Sequence, residues 1–166
     1  MGSGTVMLIR TPLSMCQLLG SHSNNNHFAH RGDFMIIHGR CHCGSISFTG
    51  EVDPAKVLVC HCADCQTMSG APFRAIAPIP AKDFSLTGSP KVYIKTAQSG
   101  SKRAQAFCGE CGTPLYATSP DNPVMYGVRL GCVEERAQLA PAKQIWTRSS
   151  MPWLHDLAAL PGVPEQ

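Results

Sequence analysis

CHCGSISFTG, residues 41–50, carries two kinds of signal. Its second half alternates: Ile46 and Phe48 point one way while Ser45, Ser47 and Thr49 point the other, the period of a half-buried β-strand. Its first half sets two cysteines one residue apart, a spacing that bridges only with strain. A strand therefore follows a pair of thiols that need some other partner.

Short strand-like pieces recur along the chain. KVLVC, FRAIAPI, KVYIKTA, RAQAFC, TPLYAT and VMYGVRL are separated by the turn chemistry of Asp53-Pro54, Gly88-Ser89-Pro90, Ser99-Gly100 and Asp121-Asn122-Pro123. In VMYGVRL, Val124, Tyr126, Val128 and Leu130 share one face and Arg129 lies on the other. Helix is limited to one turn after Cys62 and a short piece over 153–160, ended by Pro161-Gly162. This pattern predicts a compact, mainly β domain of short antiparallel strands with little helix. A length of 166 residues with 43% apolar content suits one such domain, placed at 35–166. Residues 1–34 hold no acidic residue before Asp33 and include the polar SHSNNNHFAH. They read as an extension, disordered or preceding the true start, in which Cys16, His22, His27 and His30 are bystanders.

Of nine cysteines, seven fall into the groups CHC, CHCADC and CGEC. The odd count and the lack of a secretory-type leader argue for reduced thiols that bind metal, and so for a cytoplasmic setting. Four ligands per closed zinc site divide seven thiols into four plus three. CHCADC can wrap one ion alone, because a turn after Cys62 returns Cys65 to the ion held by Cys60. Cys41 and Cys43 then remain to pair with Cys108 and Cys111, whose knuckle is made tight by Gly109 and Gly112. A fourth ligand for the three-thiol group stays open. His42 or His61 could supply it, although a side chain between two ligating cysteines usually points away and finds a carbonyl or a sulfur instead. The other arrangement is a three-sulfur zinc with an open position, which is what distinguishes catalytic from structural zinc.

The formal charge of +3 falls to about zero once thiolate-bound zinc is counted. No run of Lys or Arg exceeds Lys102-Arg103, so the footprint of a nucleic-acid binder is missing. No apolar stretch approaches the roughly 20 residues that cross a bilayer. The balance favours a small-molecule partner over nucleic acid or membrane.

GRCHCGSISF, CHCADCQTMSGAPF, FCGECGTPLY and QIWTRSSMPW, in that order, resemble the glutathione-dependent formaldehyde-activating enzyme family, which includes the centromere protein V relatives. The resemblance runs from Gly39 to near the C-terminus and implies an Mss4-like (β-tent) domain with two Zn²⁺ ions. It implies that Cys41, Cys43, Cys108 and Cys111 hold a structural zinc and that Cys60, Cys62 and Cys65 hold a catalytic one. The implied activity joins glutathione, a small-molecule thiol, to formaldehyde as S-hydroxymethylglutathione, a carbon–sulfur lyase reaction run in reverse. Relatives of this fold that act as chaperones or interaction domains supply the alternative, a non-enzymatic zinc-binding module.

Glutathione carries two carboxylates, for which Arg74, Lys95, Arg103, Arg129 and Arg148 are available; the default for each is a solvated strand-face charge. Gln66 stands where relatives often have a basic or aromatic residue. Trp146 and Trp153 are expected to pack against the sheet, Cys132 to be a small buried residue, and Tyr116 to cap a sheet edge rather than reach the site.

Overall fold

Ten strands make two sheets in the computed structural model, which describes residues 1, 34–97 and 99–165. Most of the expected extension, with Cys16, His22, His27 and His30, lies outside the described residues. The strands are β1 (Met35–Arg40), β2 (Ser47–Val52), β3 (Leu58–Cys60), β4 (Arg74–Pro80), β5 (Phe84–Thr87), β6 (Lys91–Thr96), β7 (Lys102–Phe107), β8 (Pro114–Thr118), β9 (Met125–Arg129) and β10 (Lys143–Ile145). A three-stranded sheet has the order β1-β2-β5, and a seven-stranded sheet the order β10-β3-β4-β9-β8-β7-β6. The expected mainly β class holds, and the pairs are antiparallel with one exception: β10 runs parallel to β3, with Ile145 beside Cys60. That pairing extends past the strand at each end, through Ala142 N–H to Val57 O and His61 N–H to Ile145 O.

Alternation decides which face meets the core. Ile37, Phe48 and Val52 from the small sheet and Ala77, Ile79 and Val128 from the large one are buried together. Phe84 links the layers, its ring 5.6 Å from Phe48, 5.5 Å from Tyr116 and 4.4 Å from Tyr126. Two glycines let the layers close. A Cβ on Gly39 would run into the Phe48 ring, and one on Gly50 would lie 2.8 Å from Ile79 Cδ1. The glycine before the first cysteine pair is thus fixed by an aromatic ring across the ladder.

Tyr116 corrects an expectation. It lies on β8, between β7 and β9, and faces the core rather than an edge. Burial raises its phenol above the ordinary range. Val124 is exposed just before β9, and Leu130 opens a short 3-10 turn, so the face expected across 124–130 is continuous only through Tyr126 and Val128.

The other face of the large sheet follows from register. Cys60 pairs with Arg74, Ile76 with Arg129, and Gln105 with Ala117, which in turn pairs with Gly127, so these residues share one side. That side is walled by the only α-helix among the described residues, α1 (Ala63–Ser69), and by the segment 146–149. The helix makes two turns rather than the single turn expected and ends at Gly70, in the left-handed region at φ 63°. The expected C-terminal helix is a 3-10 helix over Pro152–Ala159. No helix of the described residues is long and apolar enough to cross a membrane.

Candidate functional site

Two backbone knuckles bring four cysteines together. After β1, Cys41 N–H bonds Ile46 O while Gly44, at φ 80°, returns its N–H to Cys41 O. After β7, Cys108 N–H bonds Thr113 O while Gly112, at φ 74°, returns its N–H to Cys108 O. Each turn needs a left-handed residue, which glycine supplies without a Cβ clash. The four sulfurs lie within 4.8 Å of one another, with Cys41 to Cys43 at 3.5 Å and Cys43 to Cys108 at 3.7 Å. A tetrahedral zinc with Zn–S bonds of about 2.3 Å separates its sulfurs by about 3.8 Å, so this donor set fits the ion.

Polar groups shift Cys41 and Cys111 towards the charged form, whereas at Cys43 the Ser45 hydroxyl is outweighed by the Cys41 thiol and burial, and its thiol is raised. The Ile46 N–H donates to Cys41 Sγ at 3.3 Å, and the Ser45 hydroxyl lies 3.2 to 3.5 Å from the sulfurs of Cys43, Cys108 and Cys41. Cys111 is lowered to about 5, first by the Thr113 hydroxyl at 3.1 Å and then by backbone N–H groups. Cys41 falls to about 7, because burial, which raises it, is outweighed by Ser45 and the Ile46 N–H. The Ser45 and Thr113 contacts were not legible beforehand: Ser45 reads as the outward position of a strand.

The three-thiol group is built differently. Cys60 ends β3, Cys62 caps the helix N-terminus, and Cys65 sits in its first turn, where Gln66 N–H closes on Cys62 O. Their sulfurs lie within 4.8 Å of one another, and among the described residues no fourth His, Cys, Asp or Glu joins them. His42 is exposed, and His61 Nε2 bonds Gln144 Oε1 at 2.8 Å with its ring 5.9 Å from Phe73.

The three thiols do not ionise alike. Burial pushes Cys65 up strongly, with Cys62 and Cys60 adding to it, and burial also raises Cys60. At Cys62 burial works the same way but is outweighed by hydrogen bonds from Cys65 and Cys60 and by the charge of Lys95. Three negative sulfurs at this distance oppose one another, and a divalent cation removes that opposition. The chemistry of the donor set therefore fits a metal here too.

Beside Cys62 and Cys65 opens a cavity of about 1100 Å³. Its floor is the sheet face of Arg74, Ile76, Gln105 and Arg129, and its walls come from α1, Lys95, Trp146 and Arg148. All five candidate cations line it, but not as solvated charges in every case. Arg74 and Arg129 are buried, and Lys95 is 13% exposed and paired with Asp64. Arg103 and Arg148 are exposed, as expected. Trp146 is a second correction. It stands half exposed at the cavity wall in the left-handed region, at φ 58°, with the Arg148 guanidinium 4.8 Å from its ring. Trp153 is also exposed rather than packed on the sheet. Cys132 is half-buried against the core, its thiol raised to about 11 by burial. Gln66 faces the scaffold: its Nε2 donates to His61 O at 2.9 Å and Ser149 O at 2.8 Å, tying the helix to the opposite cavity wall.

A small β domain with two thiol clusters that could each hold a metal ion, one of them opening on a cation-lined cavity, defines a cysteine-rich protein with room for a small molecule. The profile of the glutathione-dependent formaldehyde-activating enzyme matches residues 36–149, and the chain belongs to that family. A Schizosaccharomyces pombe protein named as an uncharacterized lyase is 32% identical over 91 residues, 51% of this chain. The match spans 61% of that curated relative's length. The crystal structure of a Rhodobacter sphaeroides protein is similar at a TM-score of 0.50 and 21% identity, over 64% of this chain and 98% of that one, a likeness of fold alone.

Proposed function

We propose that the protein is a zinc-dependent, carbon–sulfur lyase-type enzyme that adds a small thiol to an aldehyde, with glutathione and formaldehyde giving S-hydroxymethylglutathione. The observation that carries this reading is the three-sulfur group of Cys60, Cys62 and Cys65 at the edge of a cavity large enough for a tripeptide. Membership of the family and the lyase name of the yeast relative support it. In this reading Cys41, Cys43, Cys108 and Cys111 hold a structural zinc, and Cys60, Cys62 and Cys65 hold the catalytic one. When bound there, zinc supplies an open coordination position and keeps a visiting thiol ionised near neutral pH.

The chain's own residues do the rest. A free thiol of pKa about 8.5 is only a few per cent ionised at pH 7, and the cavity's cations favour the anionic form. Positioning then matters most, because a confined thiol and aldehyde meet at a high effective concentration. The thiol sulfur forms a bond to the carbonyl carbon as the carbon–oxygen π bond opens. The proton lost by the thiol is returned to that oxygen, so no net acid or base is consumed. Trp146 and Arg148, in contact with each other, form one wall of this cavity.

Exchange NMR on ¹³C-formaldehyde with glutathione tests the reading. The metal-loaded protein should speed interconversion of free and thiol-bound formaldehyde, and Cys62→Ser should remove that acceleration. Equal rates with and without the protein would refute it.

A further inference from the structure

Two guanidinium groups lie together on the cavity floor with no acid to match them. Arg74 is 5% exposed and Arg129 8%. Arg74 Nη1 and Arg129 Nη2 converge on one neutral acceptor, Gln105 Oε1, at 3.3 and 2.7 Å, and the Nε of each has no partner. Among the described residues no carboxylate comes within 4.0 Å of either; Asp64, the acid on the cavity wall, is engaged by Lys95.

Burying two like charges against a single amide is unfavourable unless an anion joins them. The thiol cluster supplies part of that anion: three thiolates around a divalent ion carry a net charge of about −1, which leaves one positive charge of the pair unmatched. The guanidinium fork is shaped for a carboxylate, which it can hold through two parallel N–H bonds. Arg129, lowered to about 10 first by burial and then by Arg74, still carries its charge at neutral pH.

We propose that Arg74 and Arg129, positioned by Gln105, form a carboxylate-binding subsite that selects thiols bearing a carboxylate over neutral thiols. This rests on the reading of the same cavity as a thiol site. Arg74 and Arg129 would touch the ligand. Gln105 is a positioning residue that holds the two forks on one side of the sheet.

Isothermal titration of the metal-loaded full chain with three probes separates the two ideas: glutathione, its diethyl ester, and S-methylglutathione, which keeps the carboxylates but has no thiol. Glutathione should bind about tenfold to a hundredfold more tightly than its ester, the range expected for a charge-assisted pair. Arg129→Met should abolish that preference without weakening the ester, and Arg129→Lys should restore part of it. Arg74→Met provides a second variant, with circular dichroism and metal content confirming the fold of each. Equal binding of acid and ester, or an equal loss for both in the variants, would overturn the subsite and leave the thiol reading standing. S-methylglutathione binding as tightly as glutathione would uphold the subsite and overturn the thiol reading. No binding of any probe would overturn both.

Discussion

Arg129→Met is expected to make the protein more stable, although it removes a buried hydrogen bond. The guanidinium is pulled well below its ordinary value to about 10, first by burial and then by Arg74. That drop corresponds to roughly 3 kcal/mol against the charged form in the folded state. Loss of the bond to Gln105 Oε1, 2.7 Å long, offsets about half of it, since Arg74 still donates to the same oxygen. Methionine fills the same space without a charge to desolvate. The net gain is about 1–2 kcal/mol, which raises Tm by roughly 3–8 °C in a domain of this size. The sign with pH follows from the lowered value. Below a pH of about 10 the side chain is charged in both folded and unfolded chains, so the penalty is fully present and the gain is flat across the neutral range. Wild type recovers the difference only as pH climbs from about 10 towards the ordinary value. Thermal and urea melts at matched metal content measure it. A loss of stability of about 1 kcal/mol or more would show that the guanidinium is a net structural tie, and the idea of a strained cavity floor would have to be abandoned.

Cys108→Ser and Cys62→Ser should part company: the first removes a buried thiol from the four-cysteine group that joins the ends of β1 and β7 and, if that group holds the structural zinc proposed above, should unfold the domain or cost several kcal/mol. The second places serine, a good N-cap, at the start of α1 and should shift the melt by less than about 1 kcal/mol while removing thiol binding. Gly39→Ala should cost about 1–3 kcal/mol in urea denaturation, because the new Cβ meets the Phe48 ring. Gln66→Ala should cost about 1–2 kcal/mol by deleting bonds to His61 O and Ser149 O, and should alter tryptophan fluorescence as the wall around Trp146 loosens; an unchanged spectrum and melt would show that the tie is idle.

The strands whose pattern and turns were local could be read from the sequence. β3, β6, β8 and β9 fall inside the expected stretches and β4 and β7 overrun theirs by one residue, whereas β1 and β5 were not among them. β10 could not be read: KQI has no apolar period, is exposed throughout, and is held by main-chain bonds to β3, a strand some 85 positions earlier. The grouping of seven thiols was legible because knuckle spacing is a local property, and the structure brings the same residues together. The burial of Arg74 and Arg129 was not. Alternation assigns them to the face opposite Ala77 and Val128, and on a two-layer domain that face reads as solvent. Here α1 and the 146–149 segment, whose path depends on the left-handed Trp146, wall it in.

Absorption spectroscopy of protein with cobalt in place of zinc tests the central claim most directly. Added glutathione should change the ligand-field bands and strengthen sulfur-to-cobalt charge transfer in the wild type, and should leave the spectrum of Cys62→Ser unchanged. A wild-type spectrum indifferent to glutathione and to every other small thiol would contradict the account.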